Sequence, residues 1–397
     1  MFANSPPPPL NFCTVLYYVL THGYPSAGAV IDARGLNSVN TSMSCSAGWT
    51  PWNSGSAFVN VPSTILLPAG TIVIPTSWVL PQNTHLIGVG DSISSSSGVG
   101  TTIQACKSVS CTFSGDMIDF GTAASCPSGC TAVSIENLVL DGQGQSINGI
   151  VNQYSQTFSY IDHVSLYQIV GTGLSVSGSA SHSGPYSNVT FDTGAYSGVS
   201  ATTCASINGL SDTRGLHHWS CKSETNDATA GILLDSSNNT VEDVRLIGFY
   251  DGIRVGANAN ANSNVLLNVY GDTALGSGLT PINTVHIESL SSTVTGLSIM
   301  GLGNAGGSGT ITLKDDLTST QLSGTSDPYV SIYALGKSAN GGYSRFTTSP
   351  NAATWGVGSV APGTNSCSPG SLYSRTSGGT PALYVCLGST SQWSGVK

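Results

Sequence analysis

The sequence predicts an all-β fold in which short parallel strands stack into a solenoid, a parallel β-helix. Between residues 135 and 290, short segments of alternating apolar and polar residues recur about every 25 residues. The stretches between them are rich in Gly, Asn, Ser and Thr, and no helical periodicity interrupts the strands. Because one turn of such a repeat cannot bury its own apolar face, neighbouring turns must stack into a continuous core.

Alignment of the repeats places equivalent residues in columns. The first strands are expected at 135–141, 161–167, 188–192, 216–222, 241–246 and 264–269. One inward column then contains Leu138, Val164, Val189, Trp219, Val244 and Val265, and a second contains Leu140, Leu166, Phe191, Cys221, Leu246 and Leu267. The preceding position is mostly Asn or His, namely Asn137, His163, Asn188, His218, Asp243 and Asn264. Stacked Asn side chains can hydrogen-bond along the solenoid axis, so part of this column is structural.

Two different segments flank the regular repeats. Residues 1–27 contain a Pro-rich start and an apolar stretch at 12–21, which we interpret as a short helix that caps the open end of the solenoid. The β-helix itself is expected over residues 28–340. Residues 341–397 are expected to form a small β-module built around a strand–turn–strand unit.

The composition limits the classes of function. Charged residues make up 8% of the 397 residues, the net charge is −9 and there is no basic cluster, so we expect no nucleic-acid partner. No run of about 18 apolar residues occurs, so no membrane-spanning helix is expected. The abundance of Gly, Ser, Thr and Asn fits a secreted or extracellular protein better than a cytosolic enzyme.

The cysteines support the same compartment. The chain has ten, and their even number and close spacing favour disulfides over a metal site. Zinc is the weaker alternative, because no pair has the C-x-x-C spacing. The expected pairs are Cys106–Cys111, Cys126–Cys130, Cys367–Cys386, Cys204–Cys221 and Cys13–Cys45.

The first repeats carry recognisable motifs, at residues 29–35 (AVIDARG), 63–72 (STILLPAGTI), 85–90 (HLIGVG) and 101–105 (TTIQA). This run resembles the opening of the pectate-lyase-like superfamily, especially its pectate-lyase-3 type. With the later repeats, the resemblance covers roughly residues 28–310 and implies a right-handed parallel β-helix. It does not imply one activity, because the superfamily includes lyases, glycoside hydrolases, epimerases and phage tailspikes.

Most catalytic motifs of that superfamily are missing. The polygalacturonase pattern needs Gly-His-Gly, which is absent, and the single Asp-Asp pair lies at 315–316, outside the regular repeats. Residues 160–163 (YIDH) are similar to the W-I-D-H element of classical pectate lyases, but their R-x-P-x-x-R element has no counterpart here. The similarity implies that Asp162 is a calcium ligand. We expect no other cofactor.

Acid–base residues are scarce in this chain, yet several fall on adjacent repeats. A further outward column reads Asp141, Tyr167, Asp192, Lys222, Ile247 and Asn268. Rungs about 4.8 Å apart would make Asp192 and Lys222 neighbours, with Tyr167 beside them. We predict a catalytic centre formed by Asp162, His163, Asp192, His217, His218 and Lys222. Asp192 would act as acid or base, and His217 or Lys222 would transfer a second proton or hold a substrate carboxylate. The alternative is that these residues form solvated surface pairs.

The predicted partner is an extracellular polysaccharide, bound in a groove along the β-helix by a lyase or glycoside hydrolase. The alternatives are a non-catalytic glycan-binding adhesin or tailspike-like protein, and a structural surface protein. A homotrimer is compatible with each of them. The expected substrate-binding residues are Tyr167, Arg245, Tyr373, Tyr384 and Trp393. The three aromatic residues of the C-terminal module are also candidates for its core.

Overall fold

A computed structural model describes most of the solenoid and parts of the C-terminal module. The described residues are 11–22, 28–36, 43–55, 58–92, 100–109, 111–154, 157–178, 182–194, 202–208, 212–223, 228–272, 283–288, 294, 297–304, 311–315, 331–333, 355–358, 372–375, 383–387 and 392–396.

Strands dominate the described residues. The helical elements are α1 (Phe12–His22) and a 3-10 turn (Arg34–Leu36). The first strands are β1 (Ala29–Asp32), β2 (Met43–Ser44), β3 (Trp49–Thr50), β4 (Asn53–Ser54), β5 (Ser63–Leu66), β6 (Gly70–Ile74), β7 (Trp78–Leu80), β8 (Thr84–Ile87), β9 (Thr101–Ala105), β10 (Lys107–Ser108), β11 (Cys111–Thr112) and β12 (Asp116–Phe120). The central strands are β13 (Ser134–Gln145), β14 (Asn148–Asn152), β15 (Tyr160–Ile169), β16 (Thr172–Val176), β17 (His182–Ser183), β18 (Tyr186–Asp192), β19 (Thr203–Asn208), β20 (Asp212–Thr213), β21 (Leu216–Lys222), β22 (Ala228–Asp235), β23 (Thr240–Ile247), β24 (Phe249–Val255), β25 (Val265–Asp272) and β26 (Asn283–Ile287). The last strands are β27 (Ser298–Asn304), β28 (Ile311–Asp315), β29 (Ser331–Tyr333), β30 (Trp355–Gly358), β31 (Leu372–Arg375), β32 (Leu383–Leu387) and β33 (Gln392–Val396).

The chain passes back and forth between two parallel sheets. The long sheet has the order β1-β5-β8-β13-β15-β18-β21-β23-β25-β27-β29, with β2, β6 and β9 joined at its side. The second sheet has the order β7-β12-β14-β16-β19-β22-β24-β26-β28. All strand pairs in both sheets are parallel. Because each repeat contributes one strand to each sheet, the predicted parallel β-helix is confirmed.

The core lies between the two sheets, in the columns that the alternation predicts. The residues of the first column, Leu138, Val164, Val189, Trp219 and Val244, are each 0–1% exposed. They pair with one another across successive strands, as in the pairs Leu138–Val164 and Val164–Val189. The period-2 pattern therefore determines which side of each strand is buried.

The register of the last aligned repeat differs from the prediction. The placement of Val265 and Leu267 in the core columns is wrong, because Val244 pairs with Val269. The dipeptide Asn-Val occurs twice in this repeat, four residues apart, so the sequence offers two registers. The structure uses the second one. The same shift pairs Ile247 with Asp272, so the placement of Asn268 beside Ile247 is also wrong.

Six successive strands of the long sheet, β13, β15, β18, β21, β23 and β25, each bend at one residue with a left-handed backbone. These residues, with φ between 51° and 57°, are Asn137, His163, Asn188, His218, Asp243 and Asn268. Asn268 therefore occupies the position predicted for Asn264. Asn264 is buried in the turn before β25, where its Oδ1 accepts a hydrogen bond from the backbone N–H of Asn239 at 2.9 Å. Asn and Asp tolerate this backbone conformation better than most residues, which accounts for much of the column's composition.

The N-terminal helix covers one end of the core, as predicted. Its buried residues are Phe12, Cys13, Leu16 and Leu20. Four of the predicted disulfides are present: Cys13–Cys45, Cys106–Cys111, Cys126–Cys130 and Cys204–Cys221. Cys386 is also disulfide-bonded, and Cys367 lies outside the described residues. No helix among the described residues is long and apolar enough to span a membrane.

The C-terminal module contains a four-stranded sheet, β30-β31-β32-β33. Its last three strands are antiparallel, which fits the predicted strand–turn–strand unit. The ring of Tyr373 packs edge to face on Tyr384 at 6.1 Å and on Trp393 at 5.9 Å between centroids. This mutual packing favours the core role for the three aromatics. The domain boundaries at 27/28 and 340/341 stay predictions.

Candidate functional site

The predicted site residues lie on the outer face of the long sheet, here called the long-sheet face, which consists of the outward side chains of β13, β15, β18, β21, β23 and β25. Asp162 and His163 are in contact there, with His163 Nδ1 3.0 Å from Asp162 Oδ2. The other carboxylate oxygen of Asp162 accepts a hydrogen bond from Asn188 Nδ2 at 2.8 Å. Both oxygens of Asp162 thus have protein partners, and its role as a calcium ligand stays a prediction.

The two neighbouring histidines contact separate carboxylates. His217 Nδ1 lies 2.9 Å from Glu242 Oε2, and His217 Nε2 lies 3.0 Å from the carbonyl oxygen of Arg214. Both partners are hydrogen-bond acceptors. His218 is more exposed, with its Nδ1 3.4 Å from Asp243 Oδ2. Each imidazole is therefore held by a carboxylate of the next strand, β23.

Lys222 and Asp192 form the predicted pair, with 3.8 Å between Nζ and Oδ2. Tyr167, Asp192 and Lys222 occupy paired positions on β15, β18 and β21, so this part of the alignment is confirmed. The backbone N–H of Gly194 donates to Asp192 Oδ1 at 2.8 Å. The six predicted residues thus lie in four separate pairs on successive repeats rather than in one cluster, and His217 and His218 pair with carboxylates outside the predicted set. Their catalytic roles stay predictions.

Arg245 belongs to the same face but has a partner that the sequence alignment missed. Its guanidinium carbon lies 5.8 Å from the ring centroid of Tyr270, a cation–π geometry. Tyr270 pairs with Arg245 in register and is 39% exposed. The misaligned repeat hid this neighbour, because the wrong register places Leu266 opposite Arg245 and Tyr270 four residues further along the chain.

A second group of ionisable residues lies on the outer face of the second sheet. Asp251 and Arg254 are on β24, His286 is on β26, and Glu288 follows that strand directly; we call these four residues the buried cluster. His286 Nδ1 lies 2.9 Å from Asp251 Oδ2 and 3.7 Å from Glu288 Oε1. Arg254 Nε lies 3.4 Å from Asp251 Oδ2, and its Nη2 contacts Glu288 Oε1. Polar and apolar residues alternate in His286–Ile287–Glu288, and Ile287 is fully buried. This alternation is the sequence signal that could have indicated that His286 and Glu288 lie on the same side of the chain.

Two carboxyl groups lie at the other end of the second sheet, on β12. Burial, and then the charge of Asp116 and its hydrogen bond to Asp119, raise the pKa of Asp119 to about 7. Asp116 Oδ1 also accepts a hydrogen bond from Asn148 Nδ2 at 2.7 Å. Glycosidase carboxylates stand about 5–9.5 Å apart. A directly hydrogen-bonded pair is closer than that and suits a shared proton instead.

Comparison with known proteins gives fold neighbours only. No family model and no curated protein matches the chain. The A-module of mannuronan C-5 epimerase AlgE4 from Azotobacter vinelandii is 14% identical, with a TM-score of 0.32 over 69% of this chain and 91% of that one. ORF18 of Geobacillus virus E2 is 12% identical, with a TM-score of 0.40 over 72% and 56% of the two chains. Tailspike protein 3 of bacteriophage CBA120 is 12% identical, with a TM-score of 0.24 over 84% and 64%. Similarity at this level assigns no activity to this chain.

Proposed function

We propose that this protein binds an extracellular polysaccharide along the long-sheet face. The observation that carries the proposal is the exposed Arg245–Tyr270 pair, with 5.8 Å between the guanidinium carbon and the ring centroid. The ring offers an apolar surface for the C–H groups of a sugar, and the guanidinium offers hydrogen-bond donors for its oxygens. Together they form an aromatic platform held in place by a cation.

The surroundings of that pair also suit a sugar polymer. Lys222 pairs with Asp192 and His217 contacts Glu242, so this face presents polar groups and charges of both signs. Hydroxyl groups both donate and accept hydrogen bonds and can use such a surface. The rungs repeat about every 4.8 Å, and a regular surface of this kind matches a polymer with a regular repeat.

The disulfides support an extracellular location for this activity. Four pairs are formed within the described residues, and disulfides persist in oxidising compartments. A polysaccharide outside the cell is accessible to a protein that keeps such bonds.

The test is affinity electrophoresis of the purified protein against a panel of neutral and uronate-containing polysaccharides. We expect retardation by at least one polymer, and about a tenfold weaker interaction for Tyr270→Ala and Arg245→Ala, since about 1.4 kcal/mol corresponds to a factor of ten. The matched control is Tyr250→Ala, because Tyr250 is 46% exposed but lies on β24 of the second sheet. If Tyr250→Ala weakens binding as much as Tyr270→Ala, or if no polymer retards the protein, the proposal fails.

The second candidate function is cleavage of the bound chain by a lyase or glycoside hydrolase. The observation that favours it is the arrangement of Tyr167, Asp192 and Lys222 at paired positions on three adjacent strands. In β-elimination, Tyr167 or Lys222 would remove the proton next to a uronate carboxylate. In hydrolysis, Asp192 would act as the acid or base.

Product formation separates these outcomes. A lyase produces an unsaturated uronate that absorbs near 235 nm, whereas a hydrolase produces new reducing ends without that absorbance. Asp192→Asn, His217→Ala and Lys222→Gln should each abolish the product if the long-sheet face is catalytic, and a thermal melt checks that the variants are folded. Binding without either product identifies a recognition protein, and full activity in the folded variants moves the catalytic centre away from this face.

A further inference from the structure

The buried cluster on the second sheet has no part in the proposed function. It combines one imidazole with two carboxylates, the ligand types that first-row divalent metals accept. We propose that Asp251, His286 and Glu288 bind a divalent transition-metal ion, with zinc as the best match to the donor set.

The positions of the three ligand atoms fit one ion. Asp251 Oδ2, His286 Nδ1 and one oxygen of Glu288 all lie within 4.8 Å of one another. Zinc bonds of about 2.0–2.2 Å in tetrahedral geometry place two ligand atoms about 3.4 Å apart. The distances of 2.9 Å from His286 to Asp251 and 3.7 Å from His286 to Glu288 lie on either side of that value. Small side-chain movements are therefore enough to close the site around an ion.

Burial provides an independent observation that points to a ligand. The side chain of Glu288 is 4% exposed, and its Oε2 is buried without a hydrogen-bond partner in the described part of the chain. Glu288 Oε1 does contact the guanidinium of Arg254. Buried polar atoms in native proteins are almost always satisfied, and a buried carboxylate needs strong compensation. Coordination to a metal ion would supply that compensation.

The charges of the cluster leave room for a further cation. Asp251 and Glu288 contribute two negative charges, and Arg254 contributes one positive charge. With the neutral imidazole that metals bind, these four described side chains have a net charge of −1, and the three proposed ligands are only 2–9% exposed. An uncompensated buried charge is costly, so a bound cation would stabilise the folded state.

Arg254 is the residue with which the ion must compete. Its guanidinium contacts Asp251 Oδ2 and Glu288 Oε1, which are two of the proposed ligand atoms. The side chain of Arg254 is 24% exposed, well above the three ligands, so it can swing toward solvent without leaving a cavity in the core. The metal and the guanidinium therefore occupy the same oxygens alternately, and removal of the guanidinium should tighten metal binding.

The donor set also distinguishes this site from the calcium position implied for Asp162. Calcium takes six to eight oxygen ligands, and an imidazole nitrogen is a poor ligand for it. Zinc is commonly four-coordinate with nitrogen and oxygen ligands and keeps an open position when three protein groups bind it. We expect zinc to bind far more tightly than calcium, and manganese to bind more weakly than zinc.

The experiment uses the full chain, treated with a chelator and then dialysed. Isothermal titration with ZnCl2, MnCl2 and CaCl2 gives affinities, elemental analysis gives the stoichiometry, and a thermal melt with added zinc gives the stabilisation expected from binding to the native state. We expect about one zinc per chain, a higher melting temperature with zinc, and no measurable calcium binding at this site. Less than about a tenth of a zinc per chain, with no change in melting temperature, would overturn the proposal.

Three variants locate the ion. His286→Gln should weaken zinc binding at least tenfold, whereas the matched control His217→Gln, which removes an imidazole paired with a carboxylate on the long-sheet face, should not change it. Arg254→Met should tighten zinc binding at least threefold. If His286→Gln does not fold, Arg254→Met decides, since unchanged or weaker zinc binding in that variant contradicts the competition. Equal loss in His286→Gln and His217→Gln would place the metal elsewhere.

Discussion

The two outer faces of this β-helix use the same ionisable side chains in different surroundings. On the long-sheet face, the paired groups are 22–59% exposed. In the buried cluster, the two carboxylates and the imidazole are 2–9% exposed. Solvent screens the first set, so each pair there contributes little to stability. The second set is desolvated, so its members depend on one another. Burial, more than residue type, therefore decides which charged groups contribute strongly to the stability of this protein.

A substitution in the core beneath the two faces should have the largest effect on the free energy of unfolding. Trp219 is 1% exposed, and its Nε1 donates to the carbonyl of Tyr186 at 2.8 Å. Trp219→Ala should lower the free energy of unfolding by about 3–5 kcal/mol, because it removes a large buried side chain and leaves a cavity. Urea denaturation measures the change, with Tyr250→Ala as an exposed aromatic control. A loss below about 1 kcal/mol would mean that Trp219 is not packed in the core.

The buried cluster should behave almost like the core. In metal-free protein, Asp251→Ala leaves the charge of Arg254 without one of its two carboxylate partners in a largely buried site. Loss of one partner from a buried ionic network costs about 3–5 kcal/mol. The same urea titration measures it, and Asp251→Asn indicates how much of the loss comes from charge rather than from volume. A cost as small as that of a surface pair would show that the cluster is more hydrated than its burial indicates.

Asp119, on the second sheet, should make the stability of the folded protein depend on pH. Its pKa is about 7 in the folded protein against 3.8 for a free carboxyl, so the folded state holds a proton that the unfolded chain has lost. The contribution of this group to stability is therefore complete below about pH 4 and declines as the pH rises toward about 7. Asp119→Asn should reduce that decline.

Thermal melts at a series of pH values between about 4 and 8 test this prediction. The control is Asp192→Asn on the long-sheet face, where the carboxylate faces Lys222, and this variant should keep the wild-type decline. Parallel curves for the wild type and Asp119→Asn would show that the proton is not held by Asp119.

The smallest effects should come from the exposed pairs. Asp162→Asn and Lys222→Gln should each change the free energy of unfolding by less than about 1 kcal/mol, because exposed ion pairs are screened and flexible. High salt should reduce even that difference. A larger, salt-independent loss would mean that these pairs are covered in solution, and the contrast between the two faces would disappear.

Much of the fold could be predicted because it depends on local patterns. The alternation of apolar residues determined the strands and the inward columns from Leu138 to Val244, and the spacing of the cysteines determined the disulfides. Period-2 alternation acts within a single strand, and a short cysteine loop limits its own pairing. The long-sheet site was predictable for the same reason, since Asp192 and Lys222 occupy equivalent positions in consecutive repeats.

Register and burial were decided only by the tertiary structure. Asn264 and Asn268 both precede a valine, and the choice between them depends on whether Asn264 can stack on Asn239 of the neighbouring repeat. The buried cluster likewise requires β24 and β26 to pair so that Arg254 lies beside His286. Neither residue shows in the sequence that it will be desolvated, because the groups that exclude water and set the local dielectric come from other repeats.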